Sequence, residues 1–200
     1  MELFTAIKER RAIKHFDNQV IIPETDFTQI MESVLLSPTS YNIQHWRFVR
    51  VKEAQLKQRI KEAAWGQQQI EDASELIILC ANNQAWNDRP ERYWANADEN
   101  TQNILVPMLQ DFYRDKPQMQ RDESMRSCGM AAQTLMLSAK ALNYDTCPMI
   151  GFDHTTVADI IKLPKDHLVG MIVVIGKAAK AAHGRGGQLA LSEVLMDNTF

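Results

Sequence analysis

"ELIILCAN", Glu75–Asn82, is the stretch on which the fold turns. It is apolar almost throughout, has the length of a strand, and shows no polar alternation. Such a run is expected where a strand is buried on both faces, so other elements must cover it above and below. Two further segments join it. "WRFVRV", Trp46–Val51, alternates and reads as a strand with Phe48 and Val49 near the core, and "VGMIVVIGKA", Val169–Ala178, reads as a third buried strand.

Helical patterns lie between these strands. Leu3, Phe4 and Ile7 recur at helical spacing and predict a first helix from Glu2 to about Arg11. Pro23-Glu24-Thr25-Asp26 resembles a helix start, with Phe27, Ile30, Met31, Val34 and Leu35 on one face and a stop at Ser37-Pro38. "EAQLKQRIKEAA", Glu53–Ala64, is a third amphipathic helix, and a short one is expected from Thr155 to Leu163. Arg126–Tyr144 carries the strongest helical pattern, with Asn143 as a C-terminal cap and Gly129, Ala131 and Ala132 allowing close helix approach. Residues from about 86 to 126 are polar and aromatic-rich, an expected helical excursion over the core or a ligand. The alternation of helices with a few buried strands predicts an α+β, three-layer α/β/α domain spanning residues 1–200.

The chain has 200 residues, 45% of them apolar and 24% charged, as in a soluble globular protein. A net charge of −3 gives no support for a nucleic-acid footprint. No apolar run reaches membrane-spanning length, and the N-terminus lacks a secretory pattern, so a cytoplasmic location is expected. Three scattered cysteines suit neither a disulfide framework nor a zinc site, and the histidines show no paired metal-ligand spacing.

Four polar constellations remain. Arg10, Arg11 and Lys14 cluster near the end of the first helix and could clamp a phosphate, although a basic helix end is also ordinary. Arg10 and Lys14 would share a helical face or, if the helix stops earlier, fan around one anion. "SPTSYNIQHWRFV" offers Ser40 and Asn42 as hydrogen-bonding groups behind the stiff Pro38; a capped turn would need some of them too. "WGQQQIEDAS" presents Gln67 and Gln69, amides able to bond the edge of a planar heterocycle or simply to face solvent. The last constellation pairs "PMIGF" (Pro148, Met149, Ile150, Gly151, Phe152) with "HGRGG". Gly151 permits close backbone approach to a ligand, and Arg185 sits among glycines as an anion clamp would. No catalytic acid, nucleophile or dinucleotide fingerprint accompanies them.

In order and spacing, "RRAIKHF", "SPTSYNIQHWRFV", "GQQQIEDAS", "PMIGF" and "GRGGQLALSEV" together resemble the nitroreductase family of flavoproteins over essentially the whole chain. The second is similar to that family's "SPSSxNxQPWxF" pattern. The resemblance implies a nitroreductase-like FMN-binding fold and an intertwined homodimer, with the arm from 178 to 200 on the partner subunit. It also implies NADH- or NADPH-dependent reduction of nitroaromatics, quinones or related small acceptors, the flavin carrying the chemistry and no metal being required. By the same resemblance, Arg10, Arg11, Ala12 and Lys14 hold the phosphate and the pyrimidine side of FMN, and Arg185 with Gly186 adds a second phosphate contact. Pro38, Thr39, Ser40 and Asn42 reach the flavin of the partner subunit, and Gln67 and Gln69 meet its ring edge. Pro148, Met149, Ile150 and Gly151 form a turn whose backbone lies beside the flavin N5. Ala12 stands where the family usually has serine, His45 where it has proline, and Ile150 where some members have glutamate. Related reactions on the same fold, enone reduction or dehalogenation, and a non-catalytic FMN store are the alternatives.

Overall fold

A computed structural model describes residues 1–200. The chain runs α1 (Leu3–Glu9), α2 (Glu24–Leu35), β1 (Trp46–Arg50), α3 (Ala54–Ala63), α4 (Gln69–Asp72) and β2 (Glu75–Asn82). There follow α5 (Glu99–Tyr113), α6 (Pro117–Ala141), β3 (Asp145–Met149), α7 (His154–Ile160), β4 (His167–Gly176) and α8 (Leu191–Val194). The strands form one antiparallel sheet in the order β1-β2-β4-β3.

Strand β2 is buried along its whole length, paired on one edge with β1 and on the other with β4. Side chains alternate across the sheet plane, so one strand feeds two cores. Leu76, Ile78 and Cys80 join Ile172 and Val174 in a core with Ile60 of α3 and Val157 of α7. Ile77, Leu79 and Ala81 join Val173 and Ile175 in a core with Ile30 and Val34 of α2 and Leu135 of α6. The result is the expected three layers. Each fully buried Ile or Leu contributes about 1.5–3 kcal/mol by leaving water.

The termini of α6 differ in how sequence sets them. At its C-terminus Asn143 adopts φ +62°. The Tyr144 N–H then reaches the Ala139 carbonyl (2.8 Å) and the Asn143 N–H reaches that of Lys140 (2.9 Å), the paired bonds of a Schellman motif. At its N-terminus the helix starts at Pro117, nine residues ahead of the expected Arg126. A Cβ placed on Gly129 would meet nothing within 4 Å, but Ala131 and Ala132 are buried with Ile30 and Val34 of α2, so the expected helix approach is made at the alanines and not at the glycine. A tighter approach occurs at Gly170 on β4, where a Cβ would lie 3.1 Å from both Cys128 Sγ and the Leu79 carbonyl oxygen. The sheet also has a strand that hydrophobic patterning alone passes over, β3, whose Pro148 sits at an edge position where a missing N–H is tolerated.

A further cluster lies outside both cores: Ile43, Ala85, Trp86, Tyr93, Leu109 and Tyr113 pack the excursion between β2 and α6 onto the segment before β1. Helix α1 presents Leu3, Phe4 and Ile7 to solvent, and Leu189, Leu191, Leu195 and Phe200 of the tail are exposed as well. No helix is long and apolar enough to cross a membrane.

Candidate functional site

Helix α1 stops at Glu9, so Arg10, Arg11 and Lys14 do not share a helical face. They lie on an extended stretch. Ala12 bridges Thr146 in parallel, and the Ile13 N–H donates to the Thr146 carbonyl at 3.0 Å, laying this stretch along β3. Phe16 bridges Ala178, which brings the start of the tail to the same place. Arg185 then returns to donate to the carbonyls of Lys8 (3.0 Å) and Arg10 (3.2 Å). Arg11 donates to the carbonyl of His183.

The product is a cleft of about 310 Å³ lined by Arg10, Arg11, Ala12, His183, Gly184, Arg185, Gly186 and Gln188. Three guanidinium groups meet there, and no carboxylate lines it. The Arg10 guanidinium makes no hydrogen bond within the chain. Burial, then Arg185, then Arg11 hold its pKa below the usual arginine value. Mutual repulsion of that kind is what a bound anion relieves. Lys14 points elsewhere along β3, its Nζ 3.6 Å from Cys147 Sγ. Burial pushes the Cys147 thiol up, more strongly than Lys14 lowers it.

The end of β3 carries the second constellation. Gln67 Nε2 donates to the Gly151 carbonyl at 2.7 Å, Gln69 Nε2 donates to Gln67 Oε1 at 2.9 Å, and the same Nε2 lies 3.8 Å from Met149 Sδ. Gln69 is buried rather than facing solvent. The Asp153 N–H bonds the Ala63 carbonyl at 2.9 Å, locking the 150–153 turn to the end of α3. Ile150 is 69% exposed at this turn. Strand β3 thus joins the two groups: residues 10–14 run beside it, and the amides cap its end.

The third group lies apart. Pro38, Thr39, Ser40 and Asn42 share no hydrogen bond with the other two. Tyr41, Asn42 and Gln44 all have positive φ, at 50°, 55° and 53°. Left-handed backbone of this kind costs about 1–2 kcal/mol per non-glycine residue, and side chains hold it. Thr39 Oγ1 accepts from the Gln44 N–H (3.0 Å), Asn42 Nδ2 donates to the Tyr93 carbonyl (2.8 Å), and the Tyr113 hydroxyl donates to Ser40 Oγ (2.7 Å). His45 is 1% exposed, its Nδ1 sharing a 3.0 Å hydrogen bond with Ser127 Oγ of α6. Burial, and secondarily Arg47, lowers its pKa to about 4. It is a neutral core histidine.

Trp65 and Gln188 were not among the expected site residues, whereas Tyr93 and Tyr113 belong to the aromatic stretch expected to pack over the core or a ligand, and both are buried in the cluster with Ile43 and Leu109. Trp65 follows the last apolar residue of an amphipathic helix and precedes a glycine, a helix-end position that rarely holds tryptophan. That was the available signal.

Residues 7–177 match the family model described as "Nitroreductase family". The chain is 47% identical over 185 residues to "Protein DrgA" of Synechocystis sp. (strain ATCC 27184 / PCC 6803 / Kazusa), covering 92% of this chain and 88% of that protein. It is 31% identical over 177 residues to "Putative NAD(P)H nitroreductase MhqN" of Bacillus subtilis (strain 168), covering 86% of each. Among solved structures, the "putative nitroreductase in complex with FMN" from Exiguobacterium sibiricum 255-15 superposes with a TM-score of 0.91 at 27% identity, covering 99% of this chain and 98% of that one.

Proposed function

The chain belongs to the nitroreductase family, and on that premise we propose that it is an FMN-dependent oxidoreductase that passes electrons from NADH or NADPH to nitroaromatic, quinone or related acceptors. When bound, the flavin would supply the hydride chemistry between nicotinamide and acceptor, in ping-pong order. The chain's own residues bind and orient it. The observation that carries the reading is the cleft of three guanidiniums without a carboxylate, which fits a phosphomonoester dianion.

In this reading Arg10, Arg11 and Arg185, with the backbone at Gly186, hold the phosphate. Ala12 offers no hydroxyl there, so recognition falls to the charges. Lys14 supplies a cation toward the pyrimidine side. Gln67 and Gln69 meet polar ring edges with amides already ordered by Gly151. The Pro148-Met149-Ile150-Gly151 backbone runs alongside the ring. Pro38, Thr39, Ser40 and Asn42 serve the site of a second copy in a homodimer. The exposed apolar residues of α1 and of the 178–200 arm support that pairing, because faces of this kind are covered in stable assemblies. A cytoplasmic enzyme is consistent with this chemistry.

Two titrations test the proposal. The apoprotein should bind FMN much more tightly than riboflavin, which lacks the phosphate. The anaerobic holoprotein should be bleached by NADH or NADPH and recoloured by a quinone or nitroaromatic. Protein that takes up no FMN, or bound FMN that no pyridine nucleotide bleaches, would refute it.

A further inference from the structure

Helix α3 ends at Ala63, and the bonds that close it place an unusual residue at its cap. The Trp65 N–H reaches the Glu62 carbonyl (3.1 Å) and the Gly66 N–H reaches that of Lys61 (2.9 Å). This is again the Schellman pair, with Trp65 in the left-handed position. Trp65 adopts φ +56° there, where glycine or asparagine is the usual residue. A bulky side chain at that angle is strained, and this one gains little burial in return, being 73% exposed. Its ring is nonetheless placed. Cζ3 lies 3.3 Å and Cε3 4.0 Å from the position a Gly151 Cβ would take, so the indole rests against the one residue of the turn that has no side chain. Ile150, next to Gly151 in the chain, is exposed.

Strain and exposure at one aromatic residue, on the rim of a site, is a local violation of the helix-end rule that neither stability nor packing explains. We propose that Trp65 is a specificity-determining residue on the acceptor side of this site, and that the acceptors it selects are uncharged planar aromatics, which it stacks against. This rests on the flavin-enzyme reading above and extends it to the substrate class. The surroundings argue for a neutral partner. The side chains bonded to the turn and to each other at this end are the amides of Gln67 and Gln69, with Met149 beside them. The nearby charges are already engaged, Asp153 by the Thr156 N–H (2.9 Å) and Lys61 by Glu71 (2.6 Å), and the three guanidiniums are gathered at the phosphate cleft. An indole face offers a planar ring offset stacking without a charge requirement.

The test uses the FMN-loaded wild type, Trp65→Gly and Trp65→Phe. For each, KM is measured for 1,2-naphthoquinone, for its 4-sulfonate, and for ferricyanide, an acceptor that cannot stack. Binding of coumarin, a planar aromatic that the enzyme is not asked to reduce, is followed by calorimetry. The expected result is a rise of about 3- to 10-fold in the naphthoquinone-to-ferricyanide KM ratio for Trp65→Gly, with coumarin weakened by a similar factor and both restored in Trp65→Phe. Wild type should also prefer naphthoquinone to its sulfonate. Glycine suits the left-handed cap, so the Trp65→Gly melting temperature should not fall by more than a few degrees; a large fall with an unchanged KM ratio would mark Trp65 as structural and overturn the proposal. An unchanged ratio in all variants would overturn it as well, as would a preference for the sulfonate. Wild type that takes up no FMN would sink the flavin reading and this one with it, an outcome visible before any variant is compared.

Discussion

Acidification should destabilise this protein through one side chain, His45, as pH falls below about 6.5. His45 is held neutral by burial and by Arg47, with its pKa lowered from 6.5 to about 4. The sign follows from proton counting. Between these values the unfolded chain binds a proton that the folded chain refuses, so stability is complete above the unfolded value and is lost as pH falls toward the folded one. A pKa unit corresponds to about 1.4 kcal/mol, so the full loss is about 3 kcal/mol, of which about 2 kcal/mol has gone by pH 5. For a chain of this length that is a fall of about 4–8 °C in melting temperature.

The window between about pH 7.5 and pH 5 holds most of the effect, and comparison with a variant lacking the histidine isolates it. Asp88, Asp98, Asp153 and Asp166 are all held below the ordinary aspartate value, so their losses come at lower pH. Denaturant unfolding would be followed at fixed protein and FMN concentration, in wild type and in His45→Gln, whose amide can still bond Ser127. Any pH dependence of cofactor binding is common to both and cancels in the difference. Wild type should lose about 2 kcal/mol more than His45→Gln across the window. Equal losses would refute the assignment of His45 as a buried neutral group.

Other outcomes follow from particular contacts. Arg10→Ala should weaken FMN binding by about 10- to 100-fold, measured by quenching of flavin fluorescence, because a charge-assisted contact to phosphate is worth roughly 1.5–3 kcal/mol. The apoprotein should not be destabilised by the same change, since Arg10 donates to no group in the chain and is crowded by Arg185 and Arg11. Gly170→Ala should cost about 1–3 kcal/mol in denaturant unfolding, because its Cβ would be pressed at 3.1 Å against Cys128 and the Leu79 carbonyl. Arg50→Met should cost about 3–5 kcal/mol by the same measurement. It leaves the buried Glu75 carboxylate without the guanidinium that meets both its oxygens, at 2.7 and 2.5 Å, and removes the cation 3.6 Å above the Phe27 ring.

The layered fold was legible because β2 and β4 are apolar on both faces and the helices flanking them keep a 3.6-residue pattern. Strand β3 was not legible as a strand. "DTCPM" is short, and its proline argues against a ladder unless the strand is known to lie at an edge, which is a fact about the sheet and not about the segment. Within the candidate site, the residue types were readable but not their grouping. Nothing local says that Arg185 folds back onto Arg10, or that Gln67 finds the Gly151 carbonyl, since both pairings depend on where β3 sits. Trp65 stayed hidden for another reason. Its sequence signal, a tryptophan just ahead of a glycine at a helix end, is faint, and what marks it out is a backbone angle and an exposure.

The first nine residues of α6 escaped a hydrophobic reading because the face they bury is polar. Gln120 and Ser124 are buried there one turn apart, and Ser127 continues the same face into the expected helix, where an apolar stripe would have announced the start. Each has a partner across the gap: Gln120 Nε2 donates to the Tyr113 carbonyl (2.8 Å), Ser124 Oγ to Asn83 Oδ1 (3.3 Å), and Ser127 Oγ meets His45 (3.0 Å). Buried polar groups cost stability unless satisfied, and satisfied ones specify a single arrangement. This seam therefore fixes α5, the end of β2 and the segment before β1 to one helix. That segment holds three left-handed residues in four positions, which an apolar contact, indifferent to direction, would not keep in place. His45, where the family pattern has proline, extends the seam by one hydrogen bond, and so needs the serine opposite as its counterpart. Changing Ser127 to alanine should accordingly disturb the 39–45 segment before it disturbs the helix, an order that amide hydrogen exchange of the two would show.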